Sequence, residues 1–379
     1  MVNKNSSGTT LSSFSYVLDA DNRRTSCTEA NGDKTTYGYD WGGRLTSESR
    51  TGTSAYSISY VLDDVGNRTS QTVGGVTASF TLNSDDQLTA TSGGFVNSYG
   101  YNANGEQTSR TLSGTAYTLS YDYDGNLTSI TQGANTTSYA YDATGRRVSR
   151  TAGGVTTSFL YAGGAVLLEK QSSTTTATYT YGSALLRKDG EYPLFDGQGS
   201  ERTVTNSSQS VTGTISYYAF GPTLATTGSS TSAYMYGATA GYRTEGDAGL
   251  MKVGARYYDA QVGRFITRDT ELDQHPYLYC NHEPVNHVDP SGHDYSDWNP
   301  FTWDYHFTRQ DWHDIFDGTE QLGESEVVIG TILGGGSFFS NVDPRESVPG
   351  FRPRKFPIKW PGYPRSPLTV GPHQGASLR

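Results

Sequence analysis

Tyr139-Ala140-Tyr141-Asp142-Ala143-Thr144-Gly145-Arg146-Arg147-Val148 places two aromatic rings at alternate positions, then an acid, then a glycine three residues further on. Alternation with period two suits a pleated strand that buries one face. Asp-x-x-Gly suits a turn, because an aspartate side chain bonds backbone two residues ahead and glycine takes a positive φ without a Cβ clash. The stretch reads as a strand, a tight turn and the start of a returning strand.

The same phrase occurs seven times in the first 150 residues, with its acidic or amide slot at Asp19, Asp40, Asp63, Asn83, Asn102, Asp122 and Asp142. The intervals are 21, 23, 20, 19, 20 and 20 residues. Three residues after each slot stands Asn22, Gly43, Gly66, Asp86, Gly105, Gly125 or Gly145. Three before it stands Tyr16, Tyr37, Tyr60, Phe80, Tyr99, Leu119 or Tyr139. A single unit cannot fold by itself. Ordering about 20 residues costs roughly 20 to 40 kcal/mol of backbone entropy, and burying three large side chains returns only about 5 to 9 kcal/mol. Stacked neighbours must supply the remaining burial and the sheet hydrogen bonds.

The totals agree with an all-β chain. Of 379 residues, 28 are Tyr, 45 Gly and only 3 Met, and the hydrophobic fraction is 34%, so tyrosine carries much of the burial and helix is disfavoured. A net charge of −10, with no Lys/Arg cluster before the C-terminal end, argues against nucleic acid as a partner of the repeats. Cys27 and Cys280 are too far apart in sequence for a disulfide framework or a metal knuckle. No cofactor or metal ligand set is expected, and no apolar stretch reaches membrane-spanning length. Residues 1–8 contain no secretory signal and a repeat begins by Phe14, so the sequence reads as a fragment of a longer exported protein.

The phrase resembles the YD repeat of the Rhs family, found in bacterial Rhs and wall-associated proteins, Tc toxin components and teneurins. Weaker copies continue at Phe159-Leu160-Tyr161 and Tyr179-Thr180-Tyr181. A stretch similar to the Rhs-associated core follows: Asp196-Gly197-Gln198-Gly199-Ser200, Tyr217-Tyr218-Ala219-Phe220-Gly221, and Ala255-Arg256-Tyr257-Tyr258-Asp259 leading to Gly263-Arg264-Phe265-Ile266. Three regions are expected: a YD-repeat scaffold at 12–182, an Rhs-associated core at 183–292 and a variable tail at 293–379. In complete relatives the repeats spiral into a hollow shell around the C-terminal polypeptide. Nine repeats supply roughly 18 strands, a ribbon about 86 Å long that closes into a ring about 27 Å across. The expectation is a curved, shell-like sheet of β-hairpins with a partly open face, followed by a short irregular tail.

Within Arg256–Phe265, arginine stacked on tyrosine and paired with aspartate would pin a hairpin turning at Ala260-Gln261-Val262-Gly263. The strongest chemical candidate is Pro284-Val285-Asn286-His287-Val288-Asp289-Pro290-Ser291-Gly292. It is similar to the family motif of a proline, four residues and Asp-Pro-x-Gly. The resemblance implies an aspartyl self-cleavage site, with Asp289 as one carboxylate, Asp269 as the other and Arg268 as the basic residue before it. Two such carboxylates share a proton, one acting as base toward water and the other as acid toward the carbonyl. The sequence departs from the pattern at Thr270 and Leu272, where proline and glycine are usual, in a spacing about two residues short, and at His293 in place of leucine. Asp273 is a further carboxylate nearby. The alternative is that Asp289-Pro290-Ser291-Gly292 is only a tight turn.

The tail gathers Asp304, His306, Asp311, His313, Asp314 and Asp317 among Trp298, Trp303 and Trp312, a set that could coordinate a metal or serve a nuclease but whose spacing fits no ligand pattern such as His-Glu-x-x-His, so a solvated segment is the alternative. Glu326 to Leu333 is apolar but short. Arg352, Arg354, Lys355 and Lys359 form the one basic cluster, with Phe351, Phe356 and Trp360 between them. Three functions fit: a structural and interaction scaffold of a secreted or surface Rhs-type protein; a toxin carrier that cuts itself near Gly292 to release an effector tail as cargo; and a carbohydrate-binding adhesion module whose exposed rings stack on sugars. The partners implied are protein or carbohydrate surfaces.

Overall fold

The protein, seen in a computed structural model, is described over residues 1–182, 184–271 and 274–297. Asp273 and the tail features beyond Asp297 lie outside these residues. A 19-stranded antiparallel sheet runs from β1 (Val2–Lys4) to β19 (Leu185–Lys188), each strand hydrogen-bonded to the next in sequence and the two ends unpaired with each other. No α-helix occurs among the described residues. The chain is all-β, as its tyrosine, threonine and glycine content implies.

Each phrase forms a hairpin by one mechanism. Between β4 (Lys34–Tyr39) and β5 (Leu45–Thr51), Gly43 N–H donates to the Asp40 carbonyl at 3.1 Å and Asp40 N–H to the Arg44 carbonyl at 3.0 Å. Asp40 Oδ1 accepts from the backbone of Gly42 and Arg44, at 3.0 and 2.9 Å, while Oδ2 takes Arg44 Nε at 2.7 Å. Gly43 has φ +82°, and the register slips by one residue at Tyr39. This is a tight turn closed by a left-handed bulge residue. Asn22 and Asp86 fill that left-handed slot in their repeats, at φ +63° and +59°, as short polar side chains are able to. Several return connections are of a second kind that the phrase does not contain. Gly153-Gly154, for example, joins the paired residues Ala152 and Val155 with both φ values positive, a two-residue hairpin turn.

Successive repeats are also latched by hydroxyls. The second ring of the phrase donates to a carbonyl one repeat earlier: Tyr39 to Arg24 at 2.6 Å, Tyr121 to Gln107 at 2.8 Å, Tyr141 to Leu127 at 2.8 Å and Tyr161 to Arg147 at 2.7 Å. Tyr121→Phe is expected to lower stability by about 1 kcal/mol, a small drop in thermal midpoint with the far-ultraviolet spectrum unchanged. No drop would mean that water replaces the latch.

The sheet curves around later segments of the described chain. A 4-stranded sheet, β20 (Tyr192–Phe195), β21 (Glu201–Thr205), β22 (Val211–Tyr217) and β23 (Thr223–Gly228), is followed by another, β24 (Arg243–Thr244), β25 (Leu250–Val253), β26 (Arg256–Asp259) and β27 (Arg264–Phe265). A short pair, β28 (His287–Val288) and β29 (Ser296–Asp297), closes the described chain. Adjacent residues of β26 point to opposite faces. Tyr258 packs in one cluster with Leu45, Ile58 and Tyr60, and Tyr257 in another with Leu119, Leu127 and Tyr139. Leu45 and Leu127 stand eight strands apart, about 38 Å along a flat ribbon. Only a sheet wrapped around β26 brings both to one strand. The inner face of the sheet carries residues of the chain's own later segments, among them Tyr234, Tyr258, Tyr279 and Val288.

Charged side chains fix this inner layer to the wall. Arg147, buried, forks onto Glu245 at 2.6 and 2.7 Å, donates to Tyr257 Oη at 3.0 Å and stacks on Tyr139 and Phe159. Arg110 pairs with Asp259, Arg150 with Asp247 and Arg202 with both Glu29 and Asp196. The sequence reading of Arg256–Phe265 as a pinned hairpin needs one revision. Gly263 N–H closes the turn onto the Asp259 carbonyl at 2.9 Å, but Asp259 takes its arginine from the wall, and Arg256 stacks on Phe265 instead of tyrosine.

Glu201 on β21 is buried, and burial pushes its carboxyl up to about 7. The folded protein holds this proton more tightly than the unfolded chain, so the contribution to stability is full below about pH 4.5 and lost as pH rises through 7. Glu201→Gln should therefore match the wild type near pH 5 and be the more stable at pH 8 by up to about 3 kcal/mol. Parallel melting curves across that range would show the buried carboxyl to be of no consequence.

Candidate functional site

The segment after Glu283 is tied to the wall and to the inner layer at once. Arg24 N–H donates to Asn286 Oδ1 at 2.9 Å, and Asp289 N–H donates to Tyr242 Oη at 2.6 Å, which shares a hydrogen bond of 2.9 Å with Tyr279 Oη. Gly292 has φ +78°, and a Cβ there would collide with the backbone of Val253 to Arg256. Ala255 N–H donates to the Ser291 carbonyl at 2.8 Å. The Asp289–Gly292 loop thus lies flat against the β25–β26 turn.

Asp269 and Asp289, 20 residues apart in sequence, meet at one guanidinium. Arg256 Nη2 lies 2.6 Å from Asp269 Oδ2 and 3.9 Å from Asp289 Oδ2, and Arg256 Nε donates to the Gly292 carbonyl. All three side chains are at most 5% exposed. Asp289 Oδ1 accepts from Gly292 N–H at 2.8 Å, His293 N–H at 3.1 Å and Ser291 Oγ at 3.2 Å. His293 Nδ1 is 2.7 Å from Asp269 Oδ1. A cleft of about 300 Å³, lined by Asp85, Asp86, Arg268, Asp269 and Gln274 among others, opens beside Asp269.

Burial raises the Asp289 carboxyl, outweighing Arg256 and its hydrogen bonds, and the like charge of Asp269 adds to the rise. Burial also brings Arg256 down to about 10, against the pull of the two carboxylates, so it stays a cation at neutral pH. Such a set can hold one proton on a carboxyl, polarise a carbonyl with a guanidinium and reach water through a cleft.

Arg268 takes a different place. Its side chain is exposed and lies by Gly105, whose carbonyl accepts from Arg268 N–H at 3.2 Å. The cation between the two aspartates is Arg256, which sequence reasoning assigned to packing. Its one signal was position: it precedes the tyrosine pair whose two rings face opposite sides of the inner layer. His293, noted in the sequence as a departure, also touches Asp269. No group of three or more His, Cys, Asp or Glu suited to a metal occurs among the described residues, and none of their helices is long and apolar enough to cross a membrane.

A ribbon of Asp-x-x-Gly hairpins wound around an inner layer is the architecture of a YD-repeat shell protein. The family model described as teneurin YD-shell matches residues 15–283, and the chain belongs to that family. It is 32% identical over 134 residues to the tRNA3(Ser)-specific nuclease WapA of Bacillus spizizenii, covering 31% of this chain and 6% of that protein. It is 41% identical over 61 residues to the tRNA nuclease WapA of Bacillus subtilis, covering 14% and 3%, and 32% identical over 101 residues to salivary gland surface protein 1 of Aedes aegypti, covering 26% and 3%. The chain spans at most 6% of the length of these relatives. Among solved structures it is similar to a TcdB2-TccC3-Cdc42 chain, with TM-score 0.39 and 16% identity, covering 77% of this chain and 20% of that one. Its role is that of a structural shell or scaffold.

Proposed function

We infer that this scaffold belongs to a protein secreted from or displayed on the cell, and that it cuts its own backbone beside Gly292 to free the residues that follow. The observation that carries the reading is that Asp269, Asp289 and the Gly292 carbonyl all meet one guanidinium, that of Arg256, at the end of the inner layer. Asp289, its carboxyl raised by burial, supplies the proton to a carbonyl oxygen. Asp269 takes one from water, whose oxygen adds to the carbonyl carbon; collapse of the adduct breaks the C–N bond as Asp269 passes its proton to the amine and Asp289 regains one from the adduct hydroxyl. Residues 293–379 are then cargo, the repeats of 12–182 supply most of the wall, and 183–292 carry its last strand, β19, and the inner layer.

Intact-mass measurement of the full chain over several days tests this. The expected result is slow loss of a C-terminal fragment, absent in Asp289→Asn and Asp269→Asn. A chain that stays whole identifies Asp289-Pro290-Ser291-Gly292 as a closing turn and removes the cleavage reading. A second reading rests on Trp41 and Tyr123, which stand fully exposed at turn tips, where rings can stack on sugars. Retention on polysaccharide columns, lost in the Trp41→Ala/Tyr123→Ala double variant, would support adhesion; passage in the void volume would exclude it.

A further inference from the structure

We propose that His293, the first residue on the far side of Gly292, caps Asp269 and holds the site at rest, so that its imidazole sets the rate of self-cleavage. The proposal rests on the cleavage reading above and adds a regulator to that site.

Both oxygens of Asp269 are engaged. Oδ2 faces Arg256 Nη2 at 2.6 Å, and Oδ1 is 2.7 Å from His293 Nδ1 and accepts from Glu271 N–H at 3.1 Å. A general base must have an oxygen within hydrogen-bond reach of the water it activates, and Oδ1, whose two acceptor sites are both taken, gains a water only when a partner leaves. Arg256 is 5% exposed and stacked 3.7 Å from the Phe265 ring centre, and the Glu271 contact is backbone. The His293 side chain is 28% exposed, which makes it the partner able to leave.

Its departure need not disturb the chain. The His293 backbone N–H stays on Asp289 Oδ1 at 3.1 Å and on Ser291 Oγ at 3.0 Å, so a rotation about the side-chain bonds alone uncaps Asp269 while the junction keeps its place. The cleft of about 300 Å³ that Asp269 lines supplies the water. Resting and active states differ by one side-chain rotation.

The test follows cleavage of the full chain by intact mass in three variants. His293→Leu, which has no donor for Asp269, is expected to cut at least about tenfold faster than the wild type, and Asp289→Asn in that background to abolish the gain. His293→Asn, whose amide still donates, is expected to remain slow, which separates a cap from mere bulk. Independently of cleavage, the imidazole nitrogen resonances of His293 should report Nδ1 as hydrogen-bonded and should shift in Asp269→Asn. A His293→Leu rate equal to or below a measurable, Asp289-dependent wild-type rate overturns the cap and leaves the cleavage reading standing. The absence of any cut in both wild type and His293→Leu removes both. Equal acceleration in His293→Leu and His293→Asn also overturns the cap.

Discussion

Arg110→Met is expected to remove about 3 to 5 kcal/mol of stability, lowering the thermal midpoint by roughly 10 °C. Arg110 stands on the wall and Asp259 at the end of β26 in the inner layer; their side chains are 1% and 3% exposed and paired with each other. Removing the guanidinium leaves a carboxylate with Gln261 N–H at 3.0 Å as its remaining polar contact, in a place where water does not reach. The pair itself is not a net gain of the same size, because two further nitrogens of Arg110 are buried without a partner. Arg110→Met combined with Asp259→Leu should therefore recover most of the loss, since replacing both members of a buried pair with apolar groups is near neutral. Urea melts of the single and double variants decide the matter. A single-variant loss below about 1 kcal/mol would show that solvent screens the pair and that the wall is held to its contents by apolar packing alone.

Gly254→Ala is the second large effect, and it acts on the site. Gly254 has φ +49°, and a methyl there would fall on the carbonyl of Ser291. Alanine adds the strain of a left-handed backbone, about 1 kcal/mol, to a collision that only displacement of the Ser291–Gly292 backbone relieves. Asp289 moves with it, because its Oδ1 is held by the N–H groups of Gly292 and His293. The expected result is a stability loss of about 2 to 4 kcal/mol and loss of cleavage together. Gly153→Ala is the control: its φ is +57° but nothing lies within 4 Å of the added Cβ, so the backbone term alone should appear and cleavage should be unaffected. Equal effects at the two positions would mean that the loop does not depend on its contact with the β25–β26 turn.

Much of the wall was legible residue by residue. Asp40 and Gly43 announce their turn because the hydrogen bonds that make it reach only four residues. The buried rings of Tyr60, Phe80, Tyr99 and Tyr139 announce the inward face because a strand alternates. The hydroxyl latches were present in the 20-residue interval but were not read, since they depend on how far one repeat is offset from the next. Asp269 and Asp289 were found by resemblance to a motif, whereas Arg256 and His293 were not found as their partners. Nothing in the spacing of residues 256, 269, 289 and 293 reveals that three separate segments converge.

The sequence by itself determined the wall of this protein: its strands, the turn at each Asp-x-x-Gly and the face that each ring takes. These follow from interactions within a few residues, and repetition copies them along the chain. Only the tertiary structure decided what the wall encloses and where its chemistry lies. Tyr257 and Tyr258 can serve two stretches of wall eight strands apart only after the ribbon has curved, and the guanidinium of Arg256 reaches two carboxylates only after β26 is inside it. Those contacts are set by burial between distant segments, which no local pattern encodes.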